Sequence, residues 1–343
     1  MNAQKKFKLA LVGTDSLRGK EIKNVLARRK LAAFDIEFYD ADVQEEYSKL
    51  TQFRKEPKVI YGLKEESLEG KDLIFLAADK ETNRRCGSLA EKHNVQAIDL
   101  SETFNLDEGV PLLVAGVNDD VLDRGRRPLV ANPHPVTIFL SHFFHLVHPR
   151  FGVSKAVAFI LQPVSAFDDA GVQELASQSV ALLNGSPPAK KVFKQQIAFN
   201  LLSHTEKLDA DGFCSSERRI VVEIKRVLGQ PEFPLSLSII QAPVFHTYSL
   251  MTYCEFEKDA EIKALEALFK ENPLFKTGAF RDACSASSIS VSGKDEIFVG
   301  QIKKADQFPR AFWFWLVADN LTRGSALNAF EIGKKILAAR RSS

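Results

Sequence analysis

Cysteine is scarce: only Cys86, Cys214, Cys254 and Cys284 occur in 343 residues. None forms a CxxC pair or a zinc-ligand spacing, so reduced thiols are expected rather than a disulfide framework or a zinc site. Charge of one sign is missing too. The 46 basic and 44 acidic residues leave a net charge of +2, which gives no electrostatic case for nucleic acid or a membrane surface. Arg28-Arg29-Lys30 and Arg340-Arg341 lie at expected helix ends, where they complement the helix dipole. No apolar run reaches the length of a membrane span. Residues Met1 to Lys6 lack the apolar segment of a secretory signal, so a cytoplasmic protein is expected. Methionine occurs twice, whereas phenylalanine occurs 26 times. That points to well-filled cores or an extensive subunit interface without choosing between them.

What is present alternates. Strands are expected at Lys8–Val12, Asp35–Asp40, Val59–Tyr61, Leu73–Ala77 and Val95–Asp99. A helix follows Gly13 through about Lys30 and another runs from Thr82 to Lys92. This is the pattern of a doubly wound α/β domain. The centre of the chain is Ala131-Asn132-Pro133-His134-Pro135-Val136-Thr137. Arg127–Val130 reads as a buried strand before it and Ile138–Val147 as an apolar helix after it, with Thr137 as N-cap. A strand-to-helix turn at the carboxyl end of a sheet is a favoured nucleophile position, because helix N–H groups stabilise negative charge there.

Past this corner the texture changes to long strands with two or three helices. Strands are expected at Ala156–Gln162, Leu235–Phe256 (broken near Pro243), Glu296–Ile302 and Phe312–Ala318. Helices are expected at Ala170–Leu183, Ser216–Leu228 and Asp259–Lys270. This is an α+β domain with one open sheet face. A final helix, about Leu321 to Arg340, is expected to pack back on the first domain.

Several blocks carry a resemblance. They are Val12-Gly13…Gly19, Ala131-Asn132-Pro133…Thr137, Ile197-Ala198-Phe199-Asn200, Ala242-Pro243-Val244-Phe245, Gly293-Lys294-Asp295-Glu296-Ile297-Phe298-Val299-Gly300 and Val317-Ala318-Asp319-Asn320-Leu321. Together, over nearly the whole chain, they resemble aspartate-semialdehyde dehydrogenase. The resemblance implies an α/β fold with a Rossmann-type NAD(P)-binding domain and an α+β mixed-sheet domain for catalysis and dimerisation. Residues 1–132, with 321–343 packing back, would form the first, and 133–320 the second. It also implies a homodimer. In the family a cysteine attacks the aldehyde, hydride passes to NADP and phosphate releases the acyl enzyme. A histidine serves as acid and base, and an arginine holds the substrate carboxylate.

Carried over residue by residue, these roles fall on unlike side chains. The nucleophile position is Pro135, the base position Tyr248, the carboxylate-binding arginine Gln241 and the phosphate-contacting arginine Asn105. The glutamine after the long strand remains, as Gln162. In the cofactor loop Gly13 and Gly19 remain, but the middle glycine is Ser16 and Asp15 adds a negative charge. A second glycine pair falls at Ala78-Asp79, and a Ser-Gly-Ala-Gly run becomes Ser165-Ala166-Phe167-Asp168. At the end of the second strand Asp40 and Asp42 would repel the 2′-phosphate of NADP and suit the ribose of NAD. Asn320 keeps the nicotinamide-contacting position.

The remaining candidates carry bland alternatives. His142, His145 and His148 share helical spacing without an acid or cysteine in reach in that helix, so core or interface histidines are expected and no metal. His134 and His246 flank the corner and fit either a small-molecule pocket or loop filling. Glu217 and Arg219 fall near the family's substrate-binding acid and lysine, or form a helix-surface ion pair. Cys254 and Cys86 read as buried structural thiols. Three functional readings follow. One is a homologue without the thiol reaction, acting in binding, regulation or assembly with itself or a related subunit. Another is an active NADP-dependent dehydrogenase. The third is a different reaction using Tyr248, His246 and Gln162. No nucleic-acid or membrane partner is expected.

Overall fold

The structure is a computed structural model that describes residues 6–43, 49–123, 127–278 and 286–342. Contacts divide the chain into two units, Met1–His134 with Ser325–Ser343, and Pro135–Gly324. Cys284 lies outside the described residues. Among the described residues no helix is long and apolar enough to cross a membrane.

The first unit is built on β1 (Phe7–Val12), α1 (Leu17–Arg28), β2 (Phe34–Asp40), β3 (Lys49–Phe53), β4 (Glu56–Gly62), β5 (Leu73–Leu76), α2 (Lys80–Lys92), β6 (Gln96–Asp99) and β7 (Leu129–Ala131). The sheet order is β3-β4-β2-β1-β5-β6-β7. All pairings are parallel except β3 with β4. The near-continuous apolar runs Leu9–Val12 and Leu73–Leu76 are fully buried, as strands covered on both faces must be. The chain leaves β1 towards β2 on one side and returns to β5 on the other. The loop after β1 therefore sits at the topological switch point, the expected crevice of such a sheet. The C-terminal helix, Asn328–Ser342, buries Phe330, Ile332 and Ile336 in the same core as Leu9, Leu11 and Phe75. Strand β3 has no counterpart in the sequence reading, because Lys-Leu-Thr-Gln-Phe is short and mostly polar.

The second unit carries α3 (Pro135–Phe151), β8 (Val153–Gln162), α4 (Asp168–Leu183), α5 (Ser215–Leu228), β9 (Leu235–Gln241), β10 (Tyr248–Phe256), α6 (Ile262–Glu271), β11 (Phe275–Thr277), α7 (Ser288–Val291), β12 (Ile297–Lys304) and β13 (Ala311–Ala318). The mixed sheet runs β11-β12-β13-β10-β8-β9. Its helical face is packed with phenylalanines. Phe143 stacks on Phe269 at 5.8 Å and meets Phe314 edge-on at 5.0 Å. On the other face Phe159, Met251 and Trp315 form one cross-strand row, flanked by Val157, Leu161 and Trp313, all half-buried or exposed. Phe159 is 44% exposed. The expected open sheet face is therefore present and apolar.

Candidate functional site

The central corner forms as strand, turn and helix. Strand β7 ends at Ala131 and α3 begins at Pro135. Proline suits a first helical position because its φ is preset and it has no N–H to leave unpaired. This corrects the expectation for Thr137, which lies inside the first turn rather than at the cap. Its hydroxyl donates to Glu223 Oε2 at 2.6 Å. Asn132 is held from behind by Asn328, whose amide donates to Asn132 Oδ1 at 2.8 Å and to Leu113 O at 3.0 Å. Pro135 is half-buried and lies against Gly324, where a Cβ would stand 2.7 Å from Pro135 Cβ.

Gln162, Gln241 and Tyr248 come together at the ends of three adjacent strands. Gln162 pairs with Gln241 in the β8–β9 register. Gln162 Nε2 donates to Gln241 Oε1 at 3.0 Å, and the Tyr248 hydroxyl donates to Gln162 Oε1 at 3.1 Å. Gln241 Nε2 donates in turn to Gln162 O at 3.0 Å and Ala242 O at 3.2 Å. All three side chains are buried. The three side chains are tied to one another and to nearby backbone carbonyls, and the trio holds no carboxylate, imidazole or guanidinium.

Asn320 forms a second closed group. Its Oδ1 accepts from Thr247 N at 3.0 Å and its Nδ2 donates to Ser165 Oγ at 3.1 Å. Thr247 has φ 72°, a left-handed conformation costly for a β-branched residue. The Asn320 contact is one restraint that holds it. Asp319 caps the turn that follows, accepting from Thr322 N at 2.7 Å, Leu321 N at 2.9 Å and Gly293 N at 2.8 Å. The specific Gly-Lys-Asp and Ala-Asp-Asn blocks thus meet through a carboxylate.

The histidines do not cluster. His142 is buried, and desolvation, followed by the charge of Arg323, pulls it down to about 3. His145 is exposed. His148 Nδ1 accepts from Val153 N at 2.9 Å. Among the described residues no group of three or more potential ligands could hold a metal ion. His134 is buried and His246 half-buried beside Thr247. Glu217 and Arg219 are each engaged by other groups. Glu217 accepts from Cys214 N and Ile239 N, both at 2.8 Å, closing the start of α5. Arg219 instead faces the fully buried Glu223 at 3.6 Å. Glu223 has no signal of its own in the sequence beyond its spacing four residues from Arg219.

No described thiol is poised for attack. Burial pushes Cys86 and Cys214 up to about 11 and raises Cys254 as well. A nucleophilic cysteine needs the opposite shift.

The loop at the switch point keeps its outer glycines for packing. Gly13 has φ +84°, and a Cβ there would lie 2.3 Å from Ala78 N; one on Gly19 would lie 1.9 Å from Gly13 O. Ser16 is the N-cap of α1. Its Oγ accepts from Gly19 N at 2.9 Å and donates inward, 2.7 Å from Ala77 O and 3.0 Å from Gly13 O. Asp79 caps α2, accepting from Thr82 N at 3.0 Å. At the end of β2 Asp40 Oδ1 accepts from Thr14 N at 2.6 Å. Lys49 Nζ lies 2.8 Å from Asp15, 3.4 Å from Asp42 and 3.7 Å from Asp40. Desolvation, with the Asp15 charge second, pushes Asp40 up to about 6. Three carboxylates thus gather around Lys49 among the described residues, with Lys23 in electrostatic reach of Asp15 and Asp40.

Asp99, unremarked in the sequence, is wholly buried at the end of β6. It shapes the next loop by accepting from Ser101 N at 3.0 Å, Thr103 N at 2.7 Å and Phe104 N at 3.2 Å. That loop carries Asn105, which is buried. A separate cavity of about 420 Å³ is lined by Arg84, Arg85, Ser88, Phe104 and Asp107, and holds none of the expected site residues.

Known proteins share this arrangement. Residues 8–124 match the family model described as semialdehyde dehydrogenase, NAD binding domain, and residues 146–323 the one described as semialdehyde dehydrogenase, dimerisation domain. An aspartate-semialdehyde dehydrogenase of Rickettsia bellii is 27% identical over 335 residues, covering 97% of this chain and 98% of its own. The USG-1 protein homolog of Azotobacter vinelandii is 31% identical over 266 residues, covering 77% and 79%. The crystal structure of aspartate semialdehyde dehydrogenase II from Vibrio cholerae, complexed with ASA, shares the fold at TM-score 0.90 and 24% identity, over 98% of this chain and 99% of that one. With both domain types matched in order along one chain, this protein belongs to the aspartate-semialdehyde dehydrogenase family.

Proposed function

We propose that this family member does not carry out the thiol-dependent oxidation of aspartate semialdehyde, and acts instead in binding, regulation or assembly. The carrying observation is the closed chain Tyr248–Gln162–Gln241. By the family resemblance these are the base, the glutamine and the carboxylate-clamp positions, and Pro135 is the nucleophile position. A proline supplies no thiol. A buried glutamine supplies no charge to hold a carboxylate. Tyrosine, with an ordinary pKa near 10, is a poor base at neutral pH. The apolar sheet face around Phe159, Met251 and Trp315 supports self-association, as a homodimer or with a related subunit. The first unit matches an NAD-binding domain, so a dinucleotide is the cofactor class to test.

The second reading, an active NADP-dependent dehydrogenase, draws on the near-complete coverage of a dehydrogenase relative. One assay separates the two. Purified protein receives aspartate semialdehyde, phosphate and NADP or NAD, and reduced nucleotide is followed by absorbance. No turnover above the protein-free rate is expected. Turnover on the order of 1 per second or faster, typical of enzymes, sinks the proposal.

A further inference from the structure

The end of β2 holds a buried carboxylate with one oxygen spent and one unspent. Asp40 is 6% exposed. Its Oδ1 accepts from Thr14 N, which fixes the carboxylate plane against the loop after β1. Among the described residues its Oδ2 has no hydrogen-bond partner, although a buried ionised oxygen ordinarily takes one. Lys49 stands 3.7 Å from that oxygen but also serves Asp15 at 2.8 Å and Asp42 at 3.4 Å. The position is the switch point of a parallel sheet, where a dinucleotide's adenosine ribose meets the end of the second strand.

We infer that the first unit takes a dinucleotide with a free ribose 2′-hydroxyl, of the NAD(H) class, and rejects one with a 2′-phosphate, with Asp40 as the specificity-determining residue. A ribose hydroxyl donates to Asp40 Oδ2 and completes its hydrogen bonding. A 2′-phosphate carries roughly two negative charges at neutral pH and has no proton to offer in that form. It would meet Asp40, Asp42 and Asp15 at once, with Lys49 and Lys23 already shared among them. Like charges so close disfavour binding, most at buried Asp40 and least at exposed Asp42. The inference concerns nucleotide binding by one unit and stands whether or not the thiol reaction is lost.

The test is calorimetric titration of the full chain with NADH and with NADPH at pH 7.5 and moderate salt. NADH is expected to bind at least tenfold more tightly. Asp40→Asn keeps an acceptor for Thr14 N, removes the charge and puts an NH2 where Oδ2 was. It is expected to weaken NADH, strengthen NADPH and bring the ratio to threefold or less. Asp42→Lys changes an exposed side chain, leaves the fold intact and is expected to narrow the ratio by itself. Equal or tighter binding of NADPH by the unaltered chain overturns the inference, as does failure of the folded chain to bind either nucleotide. A ratio that neither substitution moves overturns the assignment to Asp40.

Discussion

Gln241 donates twice and accepts once within a pocket of strand ends, so its removal leaves several partners unpaired. Gln241→Leu is expected to destabilise the protein by about 1–3 kcal/mol, the usual cost of orphaned buried polar groups. Gln241→Arg brings a charge with no carboxylate in the trio and is expected to cost at least as much. Thermal or denaturant unfolding checks both, and an unchanged midpoint would refute the closed network. Two single groups also give stability a pH dependence. His142 is held near 3, below the value of about 6.5 for an unfolded histidine. The unfolded chain therefore takes up the proton first. The stability it contributes is present above about pH 6.5 and falls by up to about 1.4 kcal/mol per pH unit as pH drops towards 3. His142→Leu should flatten that part of the acid limb, measured against the unaltered chain. Asp40 is shifted the other way, up to about 6. Its protonated form favours the fold below the unfolded carboxylate value and the benefit is lost as pH rises through 6. Asp40→Asn should raise the melting temperature at pH 7.5 and leave it unchanged at pH 4.

Among elements, α3, which starts at Pro135, is tied to α5 by a polar contact. Thr137 donates to Glu223, and Glu223 faces Arg219 four residues earlier on the same helix. Glu223→Ala removes the acceptor for Thr137 and the counter-charge for Arg219. A loss of roughly 2–4 kcal/mol is expected, because the truncation leaves partners behind; Thr137→Val should cost only about 1 kcal/mol. Equal costs for both would mean that Glu223 acts by packing alone. On α4, Glu174 accepts from Lys191 N at 2.8 Å and Phe193 N at 3.2 Å, and Gln178 accepts from Ile197 N at 2.8 Å. These side chains clamp a segment without regular structure of its own. Glu174→Ala should speed hydrogen exchange at residues 191–193 before the strands of the sheet exchange. Both ties join residues 17 to 86 positions apart, and periodicity along the chain carries no trace of such pairings. The helices themselves were legible from their spacing and stops, such as Gly229 after α5.

At the scale of the molecule the apolar sheet face leaves Phe159 44% exposed. Phe159→Glu, in the middle of the row with Met251 and Trp315, is expected to leave each unit folded and to shift the protein from dimer towards monomer in analytical ultracentrifugation. A monomeric unaltered chain would instead discard the self-association proposal. The buried thiols give a second global readout. Cys86, Cys214 and Cys254 should resist alkylation in the native protein and react on unfolding, as followed by mass spectrometry. Fast modification of any of them in the folded chain would contradict their burial.

The sequence by itself determined the order of the longer strands and helices (short β3, β11 and α7 left no signal), the α/β unit followed by a mixed-sheet unit, the corner at Ala131–Pro135 and the family. These follow from local periodicity, turn residues and contiguous motifs, which are written along the chain. The family resemblance also assigns Pro135, Gln241 and Tyr248 to the nucleophile, clamp and base positions as an expectation. Only the tertiary structure decided what those residues do for one another. Gln162, Gln241 and Tyr248 lie up to 86 positions apart and become a hydrogen-bonded trio through the register of three strands. Packing of helices likewise decided that Thr137 serves Glu223 rather than a helix cap, and Glu217 closes α5 through Cys214 N and Ile239 N. The unspent oxygen of Asp40 is of the same kind. Its burial and its bond to Thr14 arise from two strand ends brought side by side.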